Sequence, residues 1–294
     1  VILHHVLHQR TRRLADHHIR RIRNGMIGQI YPLFLRPERS ASGQPRADIV
    51  LCPLLIRAGI AQKDVVFIPY VVCGVDRSPA GQYDCPVYKT FDDVKELVDC
   101  VIDFSLPEGT IQAVGFALSR KCSIVIGTTG LSDAQKEKID AAARQIPVFM
   151  SENMSPGMSL TAELCRIASG FLRGYDIEIT ETHHAKKIDS PSGSALLLTR
   201  AIEEGLGEKR NLVFGRCGKR IRGKDEIGIH SLRGGSVTGK HEVAFFGEND
   251  TITISHTASS KKLFAEGALA AAEFITGRAA GFYTMRSLLS DVSM

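Results

Sequence analysis

From about residue 65 onward, short β-branched runs alternate with helix-length amphipathic segments at the spacing of βαβ units. Residues 65–75 read as a buried strand interrupted at Pro69. Residues 100–104 and 122–126 are two further continuous apolar runs, and residues 107–120 between them have the length and spacing of a crossover helix. Parallel pairing is the economical topology for strands joined in that way. Ser132-Asp-Ala-Gln135 predicts a capping box that opens a helix ending near Arg144, and residues 146–150 supply another short strand.

After Met150 the pattern changes. Residues 158–172 form an amphipathic helix pattern, residues 175–181 alternate with period two, and residues 192–204 read as a helix with Ser192 as its N-cap. Three strand candidates follow, at 227–232, 237–246 and 251–256, separated by Gly-rich turns. They predict a half-exposed sheet packed on helices. Residues 261–276 are helical, with Gly277 at the expected C′ position. The fold class this predicts is α/β: a Rossmann-like parallel-sheet nucleotide-binding domain plus an α+β domain. The first comprises residues 1–153, with 1–64 atypical and with 264–294 completing it; the second comprises residues 154–263.

With 294 residues, 44% of them apolar, the chain can bury two cores of ordinary size. It has no run of about 18 apolar residues, which excludes a membrane-spanning helix and predicts a soluble protein. The seven cysteines include no C-x-x-C pair, which argues against a disulfide framework and a zinc knuckle and fits a reducing cytoplasm. The net charge of +5 is uneven: residues 1–70 hold 11 Lys+Arg against 4 Asp+Glu, residues 71–294 hold 26 against 28. The N-terminal excess, with six arginines from Arg10 to Arg23, permits a nucleic-acid arm or a targeting peptide. No aromatic residue is interleaved before Tyr31, however, and the run lacks the serines of transit sequences. An altered first βα unit is the reading the rest of the chain favours, and a shift of reading frame upstream of about residue 65 would account for it. Neither a nucleic-acid nor a membrane partner is expected.

In an open parallel sheet, ligands bind beyond the carboxyl ends of the strands. Asp103-Phe-Ser105, Gly127-Thr128-Thr129-Gly130 and Ser151-Glu152-Asn153 occupy those positions, and their small or hydroxylated residues let backbone approach a nicotinamide ring or a phosphate. Asp76, at the end of another strand, could accept hydrogen bonds from an adenosine ribose and Arg77 could pair with a 2′-phosphate; an ordinary Asp-Arg-Ser-Pro turn is the alternative. The densest chemistry is Glu181-Thr-His183-His184-Ala-Lys-Lys187-Ile-Asp189-Ser-Pro-Ser192-Gly193-Ser194. Ser192, Gly193 and Ser194 would offer free N–H groups at a helix N-terminus to a substrate carboxylate, with Lys187 adding a positive charge. His183 and His184 can exchange protons near neutral pH, as reduction of an imine-like carbon requires. Without a Cys, Asp or Glu cluster at ligand spacing, no metal is expected.

His183-His184-x-x-Lys187-x-Asp189-x-Pro191-Ser192-Gly193 resembles the signature segment of the dihydrodipicolinate reductase family. Val101-Ile-Asp-Phe-Ser-x-Pro-Glu-Gly109, Val125-Ile-Gly-Thr-Thr-Gly-Leu-Ser132, Asn153-Met-Ser155 and His256-x-Ala-Ser-Ser-x-x-x-Phe-Ala-x-Gly-Ala268 are similar to that family in order and spacing, so the resemblance spans about residues 71–289. It implies NADH- or NADPH-dependent reduction of the cyclic product of dihydrodipicolinate synthase to tetrahydrodipicolinate, on the diaminopimelate route to lysine. It also implies a cytoplasmic homotetramer built through the sheet of the C-terminal domain.

By that resemblance His183 is the acid/base histidine, Lys187 the proton donor, His184 a substrate-binding residue, and Gly193 with Ser194 a carboxylate clamp. Gly127, Thr128, Thr129, Ser151, Glu152, Asn153 and Met154 would line the nicotinamide end of the cofactor, and Asp76 and Arg77 the adenosine ribose. The chain departs from the family near its start. Where a strand and a G-x-x-G-x-M-G loop are usual, the nearest text is Asn24-Gly25-Met-Ile-Gly28, preceded by Arg20-Arg-Ile-Arg. Gly25 and Gly28 are the candidates for the pyrophosphate. A degenerate loop there defines the alternative function: a catalytically silent homologue that keeps the fold and binds a dicarboxylate or a protein partner.

Overall fold

The computed structural model describes residues 51–59, 68–78, 83 and 85–292. Gly25, Gly28 and the basic N-terminal run lie outside the described residues, as do residues 65–67 of the strand expected from residue 65. Along the chain come β1 (Leu51–Gly59), β2 (Ile68–Val75), β3 (Val87–Tyr88), β4 (Cys100–Phe104), α1 (Pro107–Arg120), β5 (Ser123–Ile126), α2 (Asp133–Ala143) and β6 (Pro147–Met150). Next are α3 (Pro156–Phe171), β7 (Asp176–His183), α4 (Gly193–Leu206), β8 (Asn211–Phe214), β9 (Glu226–Arg233), β10 (Gly239–Phe246) and β11 (Thr251–Ala258). The chain closes with α5 (Lys262–Ile275), β12 (Gly281–Tyr283) and α6 (Met285–Val292). Two compact units result: one holds the described residues up to Met154 with Phe264–Asp291, the other Ser155–Leu263.

The first unit is built on a seven-stranded sheet of order β12-β6-β5-β4-β1-β2-β3. β4, β5, β6 and β12 are parallel neighbours, as the crossover pattern predicts. β1 departs from it, lying antiparallel to both β2 and β4. The connection explains the direction: only residues 60–67 separate β1 from β2, fewer than the dozen or so that a parallel crossover needs.

Alternation along each central strand sends neighbouring residues to opposite faces. Val101, Ile124, Ile126 and Val148 pack against Ala113 and Ala117 of α1 and Ile139 and Ala142 of α2. Cys100, Ile102, Val125 and Phe149 pack against Ala265, Ala268, Leu269 and Ala272 of α5 and Leu288 of α6. A sheet covered on both faces has continuous apolar strands, which is why β4 and β5 read as unbroken hydrophobic runs. Helix starts follow local chemistry: Ser132 and Gln135 form the capping box of α2, and Ser155 and Ser192 cap α3 and α4.

The second unit is a five-stranded sheet of order β11-β10-β7-β9-β8, with β7, β9 and β8 mutually parallel and β10 antiparallel to β7 and β11. In β7 the residues Ile177, Ile179, Glu181 and His183 are buried, while those between them are more exposed. Ile177 and Ile179 join Met158, Cys165, Leu198 and Ile202 of α3 and α4 in one core. The two helices meet at Gly205, where a methyl group would lie 2.0 Å from the Arg166 carbonyl oxygen and 2.2 Å from Ser169 Oγ. We expect Gly205→Ala to cost about 1–3 kcal/mol of stability in urea unfolding, the usual range for overpacking. A loss below about 0.5 kcal/mol, typical of a neutral surface change, would mean that the helices separate without cost.

Candidate active site

Strand alternation that buries Ile177 and Ile179 also turns Glu181 and His183 inward, at the end of β7 where the helix-packed core gives way to the start of α4. Register then chooses their neighbours. Glu181 stands beside His241 of β10 on one side and Ser231 of β9 on the other, and His183 stands beside Arg233. The side chain of Glu181 is wholly buried. Arg233 donates to both of its carboxylate oxygens at 2.8 Å, the Ser192 N–H donates to Oε1 at 3.2 Å, and Oε2 lies 2.5 Å from His183 Nδ1. Arg233 also donates to the Asp189 carbonyl at 2.7 Å, tying the signature loop to β9.

Burial alone would push the Glu181 carboxyl upward. The hydrogen bonds from Arg233, Ser231 and His183 outweigh it and hold the pKa at about 2. His183 is shifted down: burial disfavours its charged form, the bond to Glu181 opposes that, and the charges of Lys187 and Arg233 add to it. His241 packs edge-on to His183 with ring centroids 5.1 Å apart, and burial, followed by the neighbouring His183, lowers its pKa to about 4. Both shifts favour the neutral imidazole, more strongly for His241.

Lys187 and His184 lie in the turn after β7. The Lys187 ammonium is held 2.7 Å from Asp189 Oδ1, and its amide donates to the His184 carbonyl at 3.0 Å. Gly193 and Ser194 occupy the first two positions of α4, whose N–H groups have no acceptor inside a helix. Ser192 requires a correction. Its amide serves Glu181, and its hydroxyl accepts from the Ala195 N–H and lies 3.0 Å from His241 Nε2, so Ser192 is taken up inside the protein rather than offered to a ligand. An N-cap residue at the mouth of a buried carboxylate is captured by it, an outcome invisible before the register is known.

Within the first unit, the ends of β4 and β5 are knitted together by Asp103. It is fully buried, and it accepts from Thr110 Oγ1 at 2.6 Å, Thr128 Oγ1 at 3.0 Å and the Ser105 N–H at 3.0 Å. Burial raises its pKa, and these bonds partly offset the rise. The Thr128 hydroxyl thus points into the loop, while Thr129 and Gly130 are exposed. A Cβ on Gly127 would lie 2.3 Å from the Phe104 ring, so only glycine lets this turn close over β4. After β6, Ser151 Oγ donates to the Asn153 carbonyl at 2.8 Å, Glu152 is exposed, and Met154 is buried in the α5 core. Asp76, 2% exposed, accepts from the Ser78 N–H at 2.9 Å, so the Asp-Arg-Ser turn is formed. Arg77 next to it is exposed and lines a cleft with Val75, Lys89, Phe91, Ser105 and Gly109. Arg77 and Lys89 outnumber the one acid that lines this cleft, Glu108, and the net positive charge suits an anionic dinucleotide.

Among the described residues, Glu181, His183 and His241 bring ligand atoms within 4.8 Å of one another. Both Glu181 oxygens are already bonded to Arg233, so a cation there would have to displace a guanidinium. Thiol chemistry is disfavoured at the buried cysteines, where burial pushes Cys73, Cys100 and Cys165 up to about 12.

Residues 70–154 match the family model described as "Dihydrodipicolinate reductase, N-terminus", and residues 157–289 match "Dihydrodipicolinate reductase, C-terminus". The chain belongs to the dihydrodipicolinate reductase family. A 4-hydroxy-tetrahydrodipicolinate reductase of Caldanaerobacter subterraneus subsp. tengcongensis is 46% identical over 220 residues, 74% of this chain and 87% of the relative. One of Clostridium tetani is 40% identical over 222 residues, 75% of this chain and 87% of the relative. The solved structure of a dipicolinate-bound dihydrodipicolinate reductase from Paenisporosarcina sp. TG-14 shares the fold, with a TM-score of 0.62 at 22% identity over 73% of this chain and 87% of that one. The first dihydrodipicolinate reductase region falls on β2 to β6 and the second on α3 to α6, and residues before 70 lie outside both.

The sequence predicts His183, His184, Lys187, Gly193 and Ser194 at a strand end leading into a helix; His183 is the last residue of β7, His184 and Lys187 lie in the turn after it, and Gly193 and Ser194 open α4. Glu181 has no role in the sequence reading, although its i−2 spacing from His183 is a readable signal for a shared face. Arg233, Ser231 and His241 carried no such signal, because strand pairing alone brings them in.

Proposed function

We propose that this protein reduces 4-hydroxy-tetrahydrodipicolinate to tetrahydrodipicolinate, using NADH or NADPH. The observation that carries the proposal is the buried Glu181–His183 pair, next in the chain to an ammonium and to the N-terminus of a helix. When bound, the nicotinamide supplies the hydride. The chain's own residues bind, orient and protonate. Gly193 and Ser194 clamp a substrate carboxylate with their amides, and His184 adds a further contact to the substrate. Lys187 supplies positive charge and a proton, and its link to Asp189 keeps the ammonium in place until a carboxylate competes for it. His183 serves as the acid/base group. In the first unit, Gly127, Thr128 and Thr129 with Ser151, Glu152, Asn153 and Met154 form the nicotinamide side, and Asp76 and Arg77 the ribose side.

The region up to Met154 with Phe264–Asp291 serves as the dinucleotide domain, and Ser155–Leu263 as the substrate and assembly domain. We infer a cytoplasmic homotetramer assembled through the second sheet, on which Phe214, Leu232 and Phe246 are large apolar residues exposed in the single chain.

Fluorescence titration of NADH and NADPH, with and without pyridine-2,6-dicarboxylate, tests the binding of both ligands. Saturable binding of a dinucleotide, tightened by the dicarboxylate, is expected, together with oxidation of the dinucleotide when the synthase product is supplied. Dicarboxylate binding without any dinucleotide binding would instead establish the catalytically silent homologue.

A further inference from the structure

The geometry points to Glu181 as a positioning residue that holds His183 as its Nδ1–H tautomer, leaving Nε2, beside the space kept by Gly239, as the nitrogen that exchanges a proton with the ligand. This rests on the acid/base role proposed for His183. Arg233 grips both oxygens of Glu181 at 2.8 Å, and an arginine cannot give up its proton in a protein, so the carboxylate stays anionic and can only accept. The 2.5 Å contact of Oε2 with His183 Nδ1 therefore has its proton on the imidazole side, whether the ring is charged or neutral. Nδ1 is closed to the ligand, and proton exchange is left to Nε2.

Space at Nε2 is secured by a neighbouring strand. A Cβ on Gly239, the first residue of β10, would lie 3.1 Å from Nε2, tighter than ordinary van der Waals contact. Any other residue at 239 would press on the reactive nitrogen. Glu181 also answers an electrostatic problem. The groups facing His183 are Glu181 on its own strand, Lys187 in the following turn, Arg233 on β9 and His241 on β10. Burial, Lys187 and Arg233 all work against the imidazolium, and Glu181 alone among them favours it. The same carboxylate orients the ring and opposes the downward shift of its pKa.

The test begins with unmodified protein. In ¹⁵N-histidine NMR above the pKa of His183, with its signal assigned by loss in His183→Gln, the expected pattern is a protonated Nδ1 and a bare Nε2. A proton on Nε2 overturns the inference, and this measurement stands even where Glu181→Gln fails to fold. Glu181→Gln should then lower kcat by about 10²-fold, at the lower end of what positioned proton transfer contributes. It should also move the His183 limb of the kcat/KM profile to lower pH, and Glu181→Asp should restore part of both. If His183→Gln loses turnover but Glu181→Gln keeps wild-type kcat and pH profile, Glu181 is only a structural bridge and the inference fails while the function stands. If His183→Gln itself keeps full turnover, the acid/base reading beneath it is what fails.

Discussion

His183→Gln and Lys187→Ala should each reduce turnover by about 10²–10⁴-fold, the range in which a positioned proton donor or acceptor contributes. The two variants should differ in kind. His183 is bonded to Glu181 and largely buried, so its replacement removes a proton-exchanging group with little change in the charge presented to substrate. Lys187 keeps one-fifth of its side chain exposed and its ammonium is paired with the more exposed Asp189, so Lys187→Ala also removes a cation from a dicarboxylate site. A fall in kcat with KM nearly constant is expected for His183→Gln, and a fall in kcat with a rise in KM for Lys187→Ala. Steady-state kinetics with the dinucleotide saturating would decide it, and wild-type kcat in either variant would remove that residue from the mechanism.

Arg233→Ala should cost about 3–5 kcal/mol of stability, the penalty for leaving a buried charge without its partner. The fully buried Glu181 side chain makes the site sensitive, since Arg233 supplies two of its bonds and also fastens the Asp189 carbonyl. The pH dependence follows from the depressed Glu181 pKa of about 2. The carboxylate contributes its full stability above the ordinary carboxyl pKa of about 4.3, and that contribution fades as pH falls from there towards 2. In Arg233→Ala the folded-state pKa rises, so the loss on acidification should be smaller and the variant should converge on wild type at low pH. Thermal unfolding at pH 7 and pH 3 checks both statements. A cost below about 1 kcal/mol at pH 7, the worth of an exposed ion pair, would mean that the carboxylate finds other partners.

The parallel block β4-β5-β6 and the helices α1 and α2 were legible because a strand buried on both faces reads as an unbroken apolar run, and a crossover helix between two such runs admits one economical pairing. β3 and β12 were not, since two or three residues carry no period. β1 was missed for a related reason: Pro53 within nine residues breaks the strand pattern, and its antiparallel direction comes from a short connection rather than from its composition. The chemistry of residues 181–194 was legible because one strand end, one turn and one helix start are local structures whose residue types stand next to one another in the chain. Gly25 and Gly28 lie outside the described residues, so the expected pyrophosphate loop rests on its sequence.

What the amino-acid order determined by itself was therefore the parallel block with its helices, the family, and a histidine-histidine-lysine segment leading into a capped helix. Those depend on contacts between near neighbours, where periodicity and capping chemistry operate. Which groups control that segment was decided by tertiary structure. Arg233 and His241 lie 52 and 60 positions beyond Glu181 in the chain, and only the pairing of β9 and β10 with β7 sets them against it. The turn that returns the chain from β7 to α4 brought the Ser192 amide onto Glu181 and made an expected ligand amide into a support for the carboxylate. A buried carboxylate takes the donors that register brings within reach, and register is a property of the assembled sheet.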